Sequence, residues 1–336
     1  MNTHRLNRGA SRRLALAKLA TVAALATVFS GAALAQAAFP SRPIKLIVPF
    51  PAGGGTDIIA REVANKVATQ QGWTIIIDNK PGSGGNLGVD AAAKAPADGY
   101  TLALGQTSNL AINPTLYPKL PYNPEKDLAP VGSVASAALV LVVAADSPYK
   151  TLADIVAAAK AKPETLNYAS SGSGTVAHLA TELFQKNAGV KFTHVPYKGA
   201  AQGATDLIGG QIQMYMSSVP TLIGHIRSGK MRAIAVTSQK RVADLPSVPT
   251  VAESGYKGFD AVTWFGVVGP AALPKDVVAK LNAAFNKAIE TPEVKKKLDD
   301  QGADVTGGTP EQFGKLIRED IVRWGRVVKE SGAKVD

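Results

Sequence analysis

The sequence contains no cysteine. That removes disulfides, thiolate metal sites, a cysteine nucleophile and lipid attachment through an N-terminal cysteine. It does not remove an oxidising compartment, where a chain without thiols has nothing to protect. Charged residues make up 19% of the chain and aromatic residues only 6%. The aromatics are not interleaved with basic residues, and Lys295-Lys296-Lys297 is the one basic run in the body of the chain, so nucleic acid is a poor fit as a partner. The sequence lacks a GxxxxGK[ST] phosphate loop, a GxSxG nucleophile elbow and an HExxH metal motif. No nucleophile–base–orienter set stands out, so the expectation is a protein that is not an enzyme and carries no cofactor and no metal.

What is present begins with an N-terminal leader. Arg5, Arg8, Arg12, Arg13 and Lys18 form a basic start without a single acid, and residues 19–34 are apolar and alanine-rich. Ala33-Leu34-Ala35 and Ala35-Gln36-Ala37 are both small-x-small cleavage patterns, so residues 1–37 read as an export signal cleaved after Ala35 or Ala37. The apolar part is too short and too alanine-rich for a membrane span. Ser11-Arg12-Arg13-Leu14 is similar to a twin-arginine signal, with Ala15 where such signals favour Phe. The expected location is the periplasm of a Gram-negative bacterium. Removing five basic residues takes the formal charge of +11 to about +6, a mild bias that suits small anions.

The remaining chain is long enough for two domains, with 46% hydrophobic residues. From Phe39 on, apolar runs rich in β-branched residues alternate with helical patterns, the signature of an α/β fold. The first run, Ile44-Lys45-Leu46-Ile47-Val48, leads through Pro49-Phe50-Pro51-Ala52 into Gly53-Gly54-Gly55 and then Thr56-Asp57 ahead of a helix. Such a turn converges backbone N–H groups with a helix dipole and can hold an anion, although the glycines alone could merely solve a backbone problem. The arrangement repeats at Ser170-Ser171-Gly172-Ser173-Gly174-Thr175. Two such turns, one per domain, favour a ligand surface over N-caps alone. Gly172 to Ala177 also matches GxGxxA, but the strand at 192–195 ends without the acid that would take a ribose. His178, with Glu182 four residues on, reads as a hydrogen-bonded helix residue rather than a metal ligand. Residues 114–130 are proline-rich and read as irregular. The apolar run at 139–144 starts a second domain, and the strand at 262–268 returns to the first. The domains are therefore 38–138 with 262–336, and 139–261. Three helices close the chain, each with Pro in its first turn.

These residues, in this order, resemble the substrate-binding proteins of tripartite tricarboxylate transporters, the Bug-type family. Besides the two turns, the markers are Asn79-Lys80-Pro81-Gly82-Ser83-Gly84-Gly85-Asn86-Leu87-Gly88, Ala97-Asp98-Gly99-Tyr100-Thr101-Leu102, Thr175-Val176-Ala177-His178-Leu179-Ala180 and Val195-Pro196-Tyr197-Lys198-Gly199. The resemblance runs from about Pro40 to the C-terminus. It implies a two-domain periplasmic-binding-protein fold of the Venus-flytrap, type II-like kind, with the ligand in the interdomain cleft. It also implies a ligand carboxylate held between the glycine turns by backbone amides, hydroxyls and ordered waters. The positions it carries over are Phe50, Ala52, Gly54, Gly55, Thr56 and Asp57 from the first turn, and Ser170, Ser171, Gly174 and Thr175 from the second. Thr107 and Asn109 follow from the third strand, Tyr197 from the cleft wall, and Met216 and Ser217 from a later strand end. There the family often has an aromatic followed by Asp-Asn, and Met216 is read as replacing the acid that meets a ligand amine. The expected ligand is therefore a small organic carboxylate without an amine, dicarboxylic or aromatic, with Met216 as a soft apolar contact. The implied partners are the membrane subunits of a tripartite carboxylate transporter, the protein itself being a monomer. Alternatives are a ligand sensor for a membrane receptor and an exported α/β enzyme acting on an anion.

Overall fold

The structure is a computed structural model that describes residues 39–335. The export signal expected at 1–37 lies outside the described residues. From Arg42 on, hydrophobic patterning resolves into ten strands and ten α-helices among the described residues. Strand β1 (Ile44–Val48) buries four of its five side chains, as a strand covered on both faces must. Helix α1 (Gly55–Gln71) follows and stops at Gly72, whose φ of 67° suits glycine. Then come β2 (Ile75–Asn79), α2 (Asn86–Ala93), β3 (Thr101–Gln106), a π-helical turn at Ser108–Ile112, and α3 (Asn113–Leu116). The middle of the chain comprises β4 (Leu128–Ala144), α4 (Leu152–Ala161), β5 (Asn167–Ser170), α5 (Val176–Ala188), β6 (Thr193–Pro196), α6 (Ala200–Ile208), β7 (Met214–Ser218), α7 (Val219–Arg227) and β8 (Met231–Val236). The chain closes with β9 (Val262–Pro270), α8 (Lys275–Ile289), α9 (Pro292–Asp299), β10 (Ala303–Val305) and α10 (Pro310–Ser331). Pro292 and Pro310 open their helices as expected, and Thr309 with Gln312 forms a capping box for α10.

The strands run in the order β2-β1-β3-β9-β4-β7-β5-β6, with β8 and β10 also paired to β4. The β1–β2, β1–β3, β5–β6 and β5–β7 pairs are parallel and those involving β4 or β9 are antiparallel. Strand β4 organises the whole. It pairs with β9 as far as Ala138 opposite Val262, and from Leu139 opposite Ser218 it pairs with β7. Each half of the sheet thus has its own parallel strands, joined through one continuous strand.

One sequence expectation changes here. Residues 114–130 are not wholly irregular, because Pro114 lies inside α3 and Leu128, Ala129 and Pro130 already belong to β4. The register shifts between Pro130 and Gly132 and again between Ser133 and Ala135. Those bulges break the two-residue alternation by which a strand is read. Short β10, beside β4, is too brief to leave a periodic pattern.

Candidate functional site

Four strands lead through short turns, or directly, into helices. The N-cap residues of those helices are Gly54 for α1, Thr175 for α5, Gly199 for α6 and Ser218 for α7. All four line one cavity of about 60 Å³. Helix starts α1, α5 and α6 follow β1, β5 and β6, three parallel strands whose C-terminal ends are where ligands settle in open α/β sheets. Phe50, Pro51, Gln106, Leu139, Ser171, Ser217, Thr221 and Thr263 complete most of the wall. Among the described residues no charged side chain lines the cavity. Each helix start carries roughly half a positive charge in its free N–H groups. Together they make the space attractive to an anion without a lysine or arginine.

The first turn is held from behind. Asp57 accepts the Gly53 N–H at 2.9 Å, Arg61 at 2.9 Å and the Asn79 amide at 2.9 Å. Burial pushes its carboxyl upward, but the hydrogen bonds from Arg61, Gly53 and Asn79 outweigh it and hold the group below its usual value. The carboxylate thus shapes the turn while staying out of the cavity. Gly55 donates its N–H across to Thr221 Oγ1 at 3.1 Å, tying α1 to α7. A Cβ on Gly55 would lie 2.6 Å from Ser218 Oγ, so this close approach needs glycine.

The second turn is tied to its helix. Thr175 Oγ1 donates to the Gly172 carbonyl at 2.7 Å and accepts the His178 N–H at 3.4 Å. Gly174 donates its N–H to His178 Nδ1 at 3.2 Å. Burial, and then the neighbouring His194, push His178 down to about 3, so the imidazole is neutral and able to accept. Ser171 Oγ faces the hydroxyls of Tyr215 at 3.2 Å and Ser217 at 3.5 Å, forming a hydroxyl cluster at the cavity edge.

Of the residues singled out from sequence, Phe50, Gly54, Gly55, Thr56, Ser171, Thr175 and Ser217 line the cavity. The others lie around it. Ala52 is exposed on the first turn. Thr107 accepts the Trp264 N–H at 2.9 Å, and Asn109 Oδ1 accepts the Gln106 N–H at 3.0 Å, so both face inward. Ser170 is fully buried against His194 Nε2 at 2.7 Å, and Gly174 supplies backbone geometry at φ 82°. Tyr197 donates its hydroxyl to Asp206 at 2.7 Å and faces an adjoining groove. Met216 lies apart from the cavity. It is 1% exposed, packs in the core and does not line the cavity. Successive side chains of a strand point to opposite faces, so Met216 cannot share the direction of Ser217.

Gln106, Thr263, Gly199, Ser218 and Thr221 were not singled out from sequence. A signal existed for two of them. Ser218 and Thr221 flank Pro220 in the first turn of a helix after a strand, the same pattern as the two glycine turns without the glycines. Thr263 is close because β9 lies between β3 and β4, where Ala137 is its partner, a pairing that no local pattern announces.

A cavity lined by four helix starts where two halves of a curled sheet meet defines a two-domain solute-binding protein of the periplasmic-binding class. The family model for the Tripartite tricarboxylate transporter family receptor matches residues 59–333, and the chain belongs to that family. Protein BugT of Bordetella pertussis is 39% identical over 312 residues, covering 93% of this chain and 96% of that one. The solved structure of Rpa4515 from R. palustris with adipate is 34% identical, with a TM-score of 0.86, and covers 89% of this chain and 100% of that one. MatC from Rhodopseudomonas palustris with bound malate is 33% identical, with a TM-score of 0.82, covering 86% and 100%. Among the described residues no helix is long and apolar enough to cross a membrane.

Proposed function

We propose that this protein captures a small organic carboxylate lacking an amine, dicarboxylic or aromatic, in the periplasm and hands it to the membrane subunits of a tripartite carboxylate transporter. The observation that carries this reading is the wall of the cavity: four helix N-caps and no charged side chain. A carboxylate finds N–H dipoles and hydroxyls there, whereas an ammonium group would be desolvated without a counter-charge. Met216 does not bear on this preference; the absence of any acid around Ser217 does. The solved relatives holding adipate and malate support the carboxylate class.

The proposed lobes are 38–138 with 262–336, and 139–261, closing about the crossings near 138 and 262. Gly55 to Thr221 and Tyr117 to Ser173, at 3.4 Å, are contacts across them. Binding without turnover is the expected behaviour. Ser170 and His194 make a serine–histidine contact, but Ser170 is fully buried and outside the cavity.

A thermal-shift screen over mono-, di-, tri- and aromatic carboxylates, followed by calorimetry, tests the reading, since a ligand that binds only the native state raises apparent stability. Gly54→Asp and Ser171→Asp each place a carboxylate at the cavity wall and are expected to abolish binding while the fold persists. Unchanged affinity in either variant would sink the site. Tight binding of aspartate or glutamate would sink the amine-free ligand.

A further inference from the structure

The polar side chains that line the cavity fall into two sets. Ser171, Thr175, Ser217, Ser218 and Thr221 have their hydroxyls engaged within the protein. Thr56, Gln106 and Thr263 line the same cavity and do not. They are 5%, 8% and 4% exposed. Among the described residues, however, neither the two hydroxyls nor the Gln106 carboxamide makes a hydrogen bond; only the Gln106 main chain does, through its N–H to Asn109. Nor are their polar atoms sealed in protein, so the open space they meet is the cavity itself. Buried polar groups are normally paired. Three unpaired ones around a single space mark the place where a ligand completes them.

Position and chemistry narrow what the ligand must bring there. Gln106 ends β3, Thr263 stands in β9, which pairs with β3, and Thr56 belongs to the first turn of α1. The cluster therefore adjoins a helix start, where N–H dipoles favour a carboxylate. The cluster itself is neutral. A carboxamide presents a donor and an acceptor side by side, and each threonine hydroxyl serves as either. A carboxylate only accepts, so it leaves Gln106 Oε1 without a donor. An apolar surface answers none of the three groups. An alcohol hydroxyl both donates and accepts, and pairs with the amide and a threonine at once.

We infer that Gln106, with Thr56 and Thr263, is a specificity-determining site for a hydroxyl on the carbon next to the ligand carboxylate, so that the protein prefers a hydroxy acid to its deoxy counterpart. This deepens the proposed function and rests on it. A site built to pair a hydroxyl discriminates strongly against the analogue that lacks it, because its own buried groups are then left unpaired.

The test is calorimetry on the wild type, Gln106→Met, Thr263→Val, Thr263→Ser and Ser171→Asp. The probes are two pairs that differ by one hydroxyl, malate against succinate and mandelate against phenylacetate, each hydroxy acid as both enantiomers. In the wild type at least one hydroxy acid should bind at least about tenfold more tightly than its deoxy partner. Gln106→Met and Thr263→Val keep a side chain of similar shape and delete the polar group. Each should reduce the preference at least about threefold, by weakening the hydroxy acid more than the deoxy one. Thr263→Ser, which retains the hydroxyl, should keep the preference. Deoxy acids binding as tightly as their hydroxy partners, or an equal loss for both members of a pair in Gln106→Met and Thr263→Val, would overturn the inference. If Ser171→Asp abolishes that deoxy-acid binding, the carboxylate site stands and only the hydroxyl assignment falls. Binding of none of the four acids would overturn both.

Discussion

Thr237 Oγ1 stands 2.9 Å from the amide nitrogen of Leu139 and donates its own proton to the Ala261 carbonyl at 2.6 Å. Backbone bonds reinforce the arrangement, from Thr237 N to Leu139 O at 3.0 Å and from Ala261 N to Thr237 O at 3.0 Å. Leu139 is where β4 changes partners, and Ala261 immediately precedes β9, the strand that returns to the other half of the sheet. One fully buried hydroxyl therefore ties together the two strands that cross between the halves.

Thr237→Val keeps the shape of that side chain and deletes the bridge. It leaves the Leu139 N–H without its partner in a dry site, which costs about 1–3 kcal/mol. Urea denaturation should show the midpoint falling with the slope unchanged. An unaltered midpoint would remove Thr237 from the crossing.

Gly55 sits where α1 meets α7, and a side chain there would strike Ser218 Oγ and Thr221 Oγ1. In Gly55→Val the backbone remains an ordinary helical first turn, so the fold should persist. The halves, however, cannot approach to the Gly55–Thr221 distance. Affinity for whichever carboxylate the wild type binds should fall by at least about tenfold, or 1.4 kcal/mol, with less than about 1 kcal/mol lost from stability. Wild-type affinity would mean that this contact is not part of the liganded state.

Acid should weaken the protein through His178. Its Nδ1 accepts the Gly174 N–H, so it cannot carry a proton there, and its ring stacks on His194 at 4.2 Å. Glu182, 4.0 Å from Nε2, is already engaged by Tyr168 and Gln185 and does not offset the burial. The folded group titrates near 3 and the unfolded one near 6.5. Between those values the unfolded chain binds more protons, so stability falls as pH drops, by up to about 1.4 kcal/mol per unit, and is flat above the unfolded value. Asp57, held below the usual carboxylate value, adds the same direction of loss only at still lower pH. Denaturation at pH 7, 6 and 5 checks this. His178→Gln should flatten the slope, and a variant as pH-dependent as the wild type would refute the assignment.

What the sequence announces and what it conceals divide along a physical line. Strand β1, the two glycine turns and the proline-started helices were legible because their causes are local: β-branched runs, positive φ, a missing N–H. Strand β4 was only half legible, because its bulges around Pro130 and Ser133 erase the alternation. At the site, Phe50, Gly54 and Ser171 were legible as members of turns. Beside Thr107, Gln106 faces the cavity, whereas Thr107 lies just past the end of β3 with helical backbone angles and turns inward to accept the Trp264 N–H. Met216 and Ser217 illustrate the same point, since a one-residue shift exchanges core for cavity. Thr263 reaches the site because β9 pairs with both β3 and β4, with Ala137 opposite Thr263, contacts between residues far apart in the chain that no local pattern reveals.

Helix α10 is fastened to β9 by a buried hydrogen bond and an aromatic contact. Trp264 Nε1 donates to Asp320 Oδ2 at 2.6 Å, and the indole packs edge-on against Phe313 at 5.5 Å. Trp264 belongs to β9 and is adjacent to the cavity residue Thr263, while Asp320 and Phe313 belong to α10. Asp320 is 7% exposed, and Arg323 at 3.7 Å is its cationic neighbour. Asp320→Ala strands a buried indole N–H and leaves Arg323 unpaired on that side, so a loss of about 2–3 kcal/mol is expected. Trp264→Phe alone should also destabilise, by removing ring volume and leaving the carboxylate without its donor. Because the two groups meet, the double variant should lose less than the sum of the singles, with a coupling of at least about 0.5 kcal/mol. Equilibrium denaturation of the four proteins in the cycle measures it. Additive losses would show that the hydrogen bond does not hold α10 to β9 and that the aromatic packing alone does.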